Sequence, residues 1–257
     1  MLGDALEPLL TRYEDWMGLD NDAVVEDRHE DPSQIRALQL VLRLERTPAP
    51  SWHSALALAA SACALVCLDP AWAPEVEAYC RGHIRKVTRR ARGAQWEATA
   101  DLPSVLVIDG PTEVRAVVPG LVTDLDKRIA KLQVGGTDVP LDAPTPPPPG
   151  ALRVYVNDEP PLTVGKLMAQ TGHAGMLAAA LLAHDDQGRL QQWYDAGCPA
   201  HASRVPAADF SARCHALSDP QAAWENHGLV AVRDAGFTEV APGTITVLGE
   251  FPTGPRS

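Results

Sequence analysis

One feature narrows the possible folds more than any other: a strand-then-helix unit occurs twice, on either side of a proline tract. Laying residue 37 on residue 151 places Ala37-Leu38-Gln39-Leu40-Val41-Leu42 over Ala151-Leu152-Arg153-Val154-Tyr155-Val156, two apolar runs suited to buried strands. Each run crosses a proline-containing loop into an Ala/Leu-rich helix, Ser54 to Leu68 in one case and Gly165 to Ala183 in the other. Further on, Asp109-Gly110-Pro111-Thr112-Glu113-Val114 followed by Pro119-Gly120 echoes Asp234-Ala235-Gly236-Phe237-Thr238-Glu239-Val240 followed by Pro242-Gly243. Between these markers each half offers a helix, a strand and a helix, ending in an apolar strand, Val105 to Ile108 or Leu229 to Val232. The tract LDAPTPPPPG at 141–150 favours an extended polyproline II spacer. The pattern reads as a duplication and predicts an α/β fold of two tandem α/β/α units, each a mixed sheet of about four strands flanked by helices. Residues 1–36 form an N-terminal extension with one amphipathic helix, Ala5 to Met17, and the acidic run EDRHEDPSQ. Residues 37–140 and 151–257 are the two units, and Thr244 to Leu248 closes the second as an edge strand.

Composition limits the partners. With 46% apolar residues over 257 positions, the chain can bury one large core or two ordinary ones. The longest apolar stretch, Ala55 to Leu68, is too short for a membrane span, which needs about 20 residues, and predicts a buried helix and no membrane partner. An acidic N-terminus without a basic leader, and five cysteines without a CxxC pair, predict a cytoplasmic, reducing location with free buried thiols. A net charge of -11 argues against DNA and nonspecific nucleic-acid binding. Against that background, His83 to Arg92 concentrates Arg85, Lys86, Arg89, Arg90 and Arg92. This run reads either as a solvated helix or loop face or, through Arg85, Lys86 and Arg89, as a guide for an anionic ligand.

Two constellations carry chemistry. On the predicted helix at Gly165, the side chains of Gln170 and His173 lie about 40° and 20° from Lys166 around the axis, so all three share one face. The same shift places Trp52, Leu56 and Ala59 at the matching positions of the first half, so the fold does not need the polar triplet. The second constellation is Asp234, at the end of a buried strand, followed by a glycine turn and the hydroxyls of Thr238, Thr244 and Thr246. Loop positions at strand ends are where α/β sites gather. A phosphate loop is excluded because position 160 is Pro and Leu167 replaces the hydroxyl residue. Without GxSxG, HExxH or zinc-type spacing, no covalent nucleophile, metal or cofactor is expected.

The motifs GK-x-x-x-Q-x-x-HA at Gly165 to Ala174, and DAG-x-T followed by APGT-x-TVLG at Asp234 to Gly249, resemble the type 2 (archaeal/eukaryotic-type) peptidyl-tRNA hydrolases. Leu190-Gln191-Gln192-Trp193-Tyr194 and Gly197 resemble that family's second-helix segment, so the likeness covers about residues 151–251. The resemblance implies a four-stranded α/β/α domain, a homodimer, and metal-free hydrolysis of the ester joining a peptide to the 3′ end of tRNA. It places functional residues at Lys166, His173, Asp234, Thr238, Thr244 and Thr246, with Gly165 and Gln170 beside the substrate. Two departures stand out: Glu239 where glutamine is usual, and the ending Gly249-Glu250-Phe251-Pro252. In a physical mechanism Asp234 accepts a proton from, or orients, the attacking water, with Thr238 or Thr246 holding it. Lys166 stabilises developing charge or grips the terminal phosphate, and His173 either orients these groups or caps buried polar atoms. Residues 37–140 then read as an inactive hydrolase-like repeat standing in for a second subunit, giving a monomeric pseudo-dimer, with a homodimer as the alternative. Other readings are a non-catalytic RNA- or protein-binding member of the fold and a hydrolase of another small ester. Trp193 and Trp224 are assigned to the core.

Overall fold

The chain builds two mixed sheets whose first four strands share one order and one set of directions. The computed structural model describes residues 1–26 and 30–251, so Asp27 to His29 of the acidic run, and Pro252 of the unusual ending, lie outside the described residues. Helices α1 (Glu7–Gly18) and α2 (Asn21–Glu26) precede the first unit. That unit runs β1 (Arg36–Arg43), α3 (Trp52–Leu68), α4 (Ala73–Cys80), β2 (Arg85–Ala91), α5 (Ala94–Glu97), β3 (Ser104–Asp109), β4 (Thr112–Leu121), α6 (Lys127–Ala130) and β5 (Gln133–Val134). The second runs β6 (Leu152–Asn157), α7 (Val164–Asp185), α8 (Gln187–Asp195), β7 (Ala200–Val205), α9 (Ala207–Cys214), α10 (Pro220–His227), β8 (Leu229–Arg233) and β9 (Ile245–Glu250).

The sheet orders are β3-β4-β1-β2-β5 and β8-β9-β6-β7. Leu40 of β1 faces Thr88 in parallel and Ala116 in antiparallel, as Val154 of β6 faces Ala202 and Gly249. Val107 faces Val114 where Val232 faces Val247. By this register Asp109 occupies the place of Asp234. The helix caps extend the correspondence: Ser51 accepts the amide of Ser54, and Thr163 that of Lys166. Ser54, Leu58 and Ser61 therefore stand where the second unit has Lys166, Gln170 and His173, rather than Trp52, Leu56 and Ala59. The loop before α7 is the shorter of the two, which a constant sequence shift cannot register.

Three further expectations need correction. Thr112-Glu113-Val114 opens β4, whereas Thr238-Glu239-Val240 lies in the long loop before β9, so of that echo only the aspartate keeps its place. The closing strand β9 pairs with both β6 and β8 and is interior. The basic run forms β2, paired with both β1 and β5, so its cations are divided between two faces instead of lying on one. The proline tract is also tied down: Asp142 accepts the amides of Trp52 and His53 at 3.1 and 3.3 Å, capping α3.

The units meet through α3 and α7, the most extensive contact between any two helices in the described chain. A Cβ on Gly175 would stand 2.3 Å from the carbonyl oxygen of Ala60, and one on Gly172 would stand 2.7 Å from Cys63 Sγ. Gly172 corresponds to Ala60 and Gly175 to Cys63, so the two contacts are reciprocal, as across a two-fold axis. Each helix also rests on the other unit's parallel strand, α7 on β2 and α3 on β7. A main apolar core shared by both units results, running through Leu40, Leu56, Val154, Met168 and Leu177, with smaller clusters around Trp96 and Phe210. Trp193 and Trp224 are buried in it, and Phe251 of the unusual ending packs edge-on against Trp193 at 5.0 Å.

Strand β8 is an edge, and α1 covers it. Tyr13 Oη accepts the amide of Ala231 at 3.1 Å, and Trp16 Nε1 donates to the carbonyl of Arg233 at 3.0 Å, so two side chains take the place of a neighbouring strand. Burial pushes the Tyr13 hydroxyl up to about 12, against about 10 in an unfolded chain. A folded-state pKa raised in this way contributes stability that is complete below about pH 10 and lost as pH rises to about 12, by up to about 3 kcal/mol. Denaturant unfolding across that range is expected to show the wild type losing stability faster than Tyr13→Phe; parallel losses would contradict the burial of this hydroxyl.

Candidate active site

The N-terminus of α7 and the end of β8 bring the two chemical constellations together. Thr163 caps the helix and is itself gripped by Glu239, which accepts its amide at 2.8 Å and its hydroxyl at 2.7 Å. The Glu239 carboxylate thus ties the Asp234 loop to the helix start, where negative charge is favoured. From this anchored turn α7 presents Lys166, Gln170 and His173 on one face.

Asp234 is almost fully buried, and its carboxylate accepts from Lys166, Gln170 and the Gly236 amide. Lys166 Nζ and Gln170 Nε2 donate to Oδ2 at 2.5 and 2.7 Å, and the Gly236 amide donates to Oδ1 at 2.7 Å. Gln170 is held in turn by Thr246, whose hydroxyl donates to Oε1 at 2.7 Å. Its carbonyl therefore faces the threonine and its amide the carboxylate. The loop closes through Asp234 N to Thr244 O and Gly243 N to Asp234 O, both 2.8 Å. Gly236 turns it at φ 72°, with Pro242 N only 2.5 Å from where a Cβ would sit.

His173 lies one turn deeper along α7, with Lys86 Nζ from β2 3.2 Å from its Nδ1. Its pKa is held well below the ordinary range, first by burial and then by the charges of Lys86 and Lys166, so the ring is neutral near pH 7.

These groups face a cavity of about 510 Å³, in the range of small-molecule sites. The second unit lines it with Gly165, Lys166, Gln170, His173, Asp234 and Thr238; the first unit adds Arg85, Lys86 and Thr88 of β2, and α1 adds Tyr13 and Trp16. Thr238 is exposed on the rim. Arg85 lines the wall, paired with Glu30 and lying over Phe237 at 5.2 Å.

Three expected site residues are elsewhere. Thr246 is buried behind Gln170 and does not reach the cavity, so it does not hold a water there. Thr244 donates to Ala241 O at 2.7 Å within the turn before β9. Arg89 points its guanidinium at Gln39 and the carbonyl of Leu132, 2.8 and 2.9 Å away, since it lies on the opposite face of β2 from Lys86. The parts not foreseen are the Thr163–Glu239 link and the α1 wall. The signal for the latter was the spacing of Leu9, Tyr13 and Trp16 on one face of α1. Among the described residues no cluster of His, Cys, Asp and Glu is suited to a metal ion. In the first unit, Ser54 Oγ donates to Asp109 where Lys166 meets Asp234.

Residues 151–256 match the sequence model of the family described as Peptidyl-tRNA hydrolase PTH2. A peptidyl-tRNA hydrolase of Methanopyrus kandleri is 33% identical over 101 residues, 38% of this chain and 81% of the relative. One from Thermoplasma acidophilum is 31% identical over 90 residues, 34% of this chain and 72% of the relative. The chain belongs to the peptidyl-tRNA hydrolase PTH2 family. The matched region holds the Lys166–Asp234 assembly, while β2 and α1, which wall the same cavity, lie outside it.

Breaking a buried ion pair leaves an uncompensated charge and costs about 3–5 kcal/mol. Lys166→Met and Asp234→Asn are each expected to lose about that much in urea unfolding, whereas the double variant recovers most of it. Additive losses would contradict the pairing.

Proposed function

We propose that the chain is a peptidyl-tRNA hydrolase, cleaving the ester between a peptide or N-blocked aminoacyl group and the 3′ end of tRNA. The observation that carries this reading is the Thr246–Gln170–Asp234–Lys166 chain of hydrogen bonds, which ends in an ammonium at a cavity within the family region. Ester hydrolysis needs a proton acceptor for the attacking water and donors for the oxyanion. Asp234 fixes the Lys166 ammonium, whose other N–H groups serve the developing oxyanion or the terminal phosphate. Oδ1 of Asp234, which accepts the Gly236 amide, takes the proton of the attacking water, and Thr238 on the rim orients that water. Collapse of the tetrahedral intermediate breaks the bond to the 3′ oxygen, which takes back the proton held by Asp234, and releases a peptide carboxylate and the 3′ hydroxyl of tRNA. The roles of Gln170 and Thr246 are to hold the carboxylate in place.

The first unit is proposed to be inactive, because Ser54, Leu58 and Ser61 replace the polar triplet. It serves as the built-in partner of a monomeric pseudo-dimer, a reading supported by the matching strand orders and the reciprocal α3–α7 contacts. The free thiols Cys63, Cys67, Cys80 and Cys198 are buried and accord with action in the reducing cytoplasm. The test is release of free tRNA from an N-blocked aminoacyl-tRNA. The wild type is expected to turn over, and the charge-balanced Lys166→Met/Asp234→Asn variant to lose at least about a hundredfold in kcat. No release by the wild type would favour a binding member of the fold, and full activity in the double variant would remove the residue assignment.

A further inference from the structure

The first unit reaches into the cavity with a side chain that this mechanism does not use. Lys86 Nζ lies 3.4 Å from Tyr79 Oη, 3.3 Å from Met176 Sδ and 3.2 Å from His173 Nδ1. Tyr79 gives its own proton to the carbonyl of Arg85 at 2.8 Å, which leaves its oxygen as an acceptor. An ammonium has three N–H donors and no acceptor, and here each of the three has a receiving atom. Among the described residues no carboxylate faces it. Lys86 is therefore spent on fixed neighbours rather than offered to an anion.

The bond to His173 has a direction. Burial lowers the Lys86 pKa from its ordinary value, and while the amine holds its third proton it only donates, so Nδ1 of the neutral ring accepts and the ring proton sits on Nε2. The ring lines the cavity, and no described side chain or carbonyl takes up Nε2. The corresponding positions in the other half are Ala200 and Ser61, so the arrangement is one-sided and the fold does not require it.

We infer that Lys86 is a positioning residue for His173, fixing the imidazole as the Nε2–H tautomer so that a neutral N–H donor is presented to the ester carbonyl oxygen as negative charge develops on it. No proton is transferred in this role; the N–H strengthens an existing hydrogen bond as the carbonyl becomes an oxyanion. The inference deepens the hydrolase reading and rests on it, and it makes the inactive unit a contributor to the active one.

The test joins a spectroscopic and a kinetic readout on the full chain. Nitrogen-15 NMR of histidine-labelled protein is expected to show His173 protonated on Nε2 in the wild type and a mixture of tautomers in Lys86→Met, which keeps the stem and removes the donor. In peptidyl-tRNA hydrolysis, Lys86→Met is expected to lower kcat at least about tenfold with KM within about twofold, and to have no further effect in a His173→Ala background. A wild-type ring protonated on Nδ1, an unchanged tautomer in Lys86→Met, or an equal kcat loss with and without His173 would overturn the inference. If the wild type cleaves no peptidyl-tRNA, the hydrolase reading fails and the catalytic role given to His173 fails with it, while the NMR readout still decides whether Lys86 sets the tautomer.

Discussion

Where α7 crosses α3, the absence of side chains at Gly172 and Gly175 lets two helix surfaces approach to backbone contact. Thr171 strengthens the crossing by donating its hydroxyl across it to the carbonyl of Leu56 at 2.9 Å. Everything distinctive about the molecule follows from that proximity. It seats α7 on β2 of the other unit, joins the two units in one main core, and makes the cavity a junction between halves. A larger residue at Gly175 would have to displace main chain, which a packed core resists.

At that junction a buried ammonium and carboxylate must be reconciled with a largely apolar surrounding. Burial of such a pair is costly unless the remaining polar valences are filled. On the carboxylate side Gln170, itself held by Thr246, and the Gly236 amide fill them here, while Lys166 keeps its other N–H groups toward the cavity, so the carboxylate is fixed before any substrate arrives. Preorganised charge is what an oxyanion-forming reaction rewards, because no reorientation is needed as charge develops. Glu239 adds to this rigidity, since its carboxylate is spent on Thr163 and anchors the loop rather than lying loose beside the site.

Much of this was legible in the sequence because it is local. Helical periodicity put Lys166, Gln170 and His173 on one face, and a strand end followed by a glycine turn marked Asp234. The two α/β units were legible from alternating strands and helices. What was not legible depends on pairing partners distant in sequence. The run at Arg85 has the charge of a solvated face, yet it becomes an inner strand because β1 and β5 satisfy its backbone on both sides. Thr246 reads as a site hydroxyl from its motif, but the register of β9 turns it behind Gln170. The shift relating the halves fails at the helices because one connecting loop is shorter. The function of α1 is invisible without the edge of β8 that it covers.

Under the proposed function one cavity, built from both halves, receives the 3′ end of an acylated tRNA. The most direct measurement is a chemical-shift map with a short RNA acceptor stem carrying a non-hydrolysable amide-linked peptide. Perturbations are expected at Lys166, Asp234 and Thr238 together with Lys86 of the first unit. Perturbations confined to the second unit away from Lys166, or none at saturating RNA, would contradict that function.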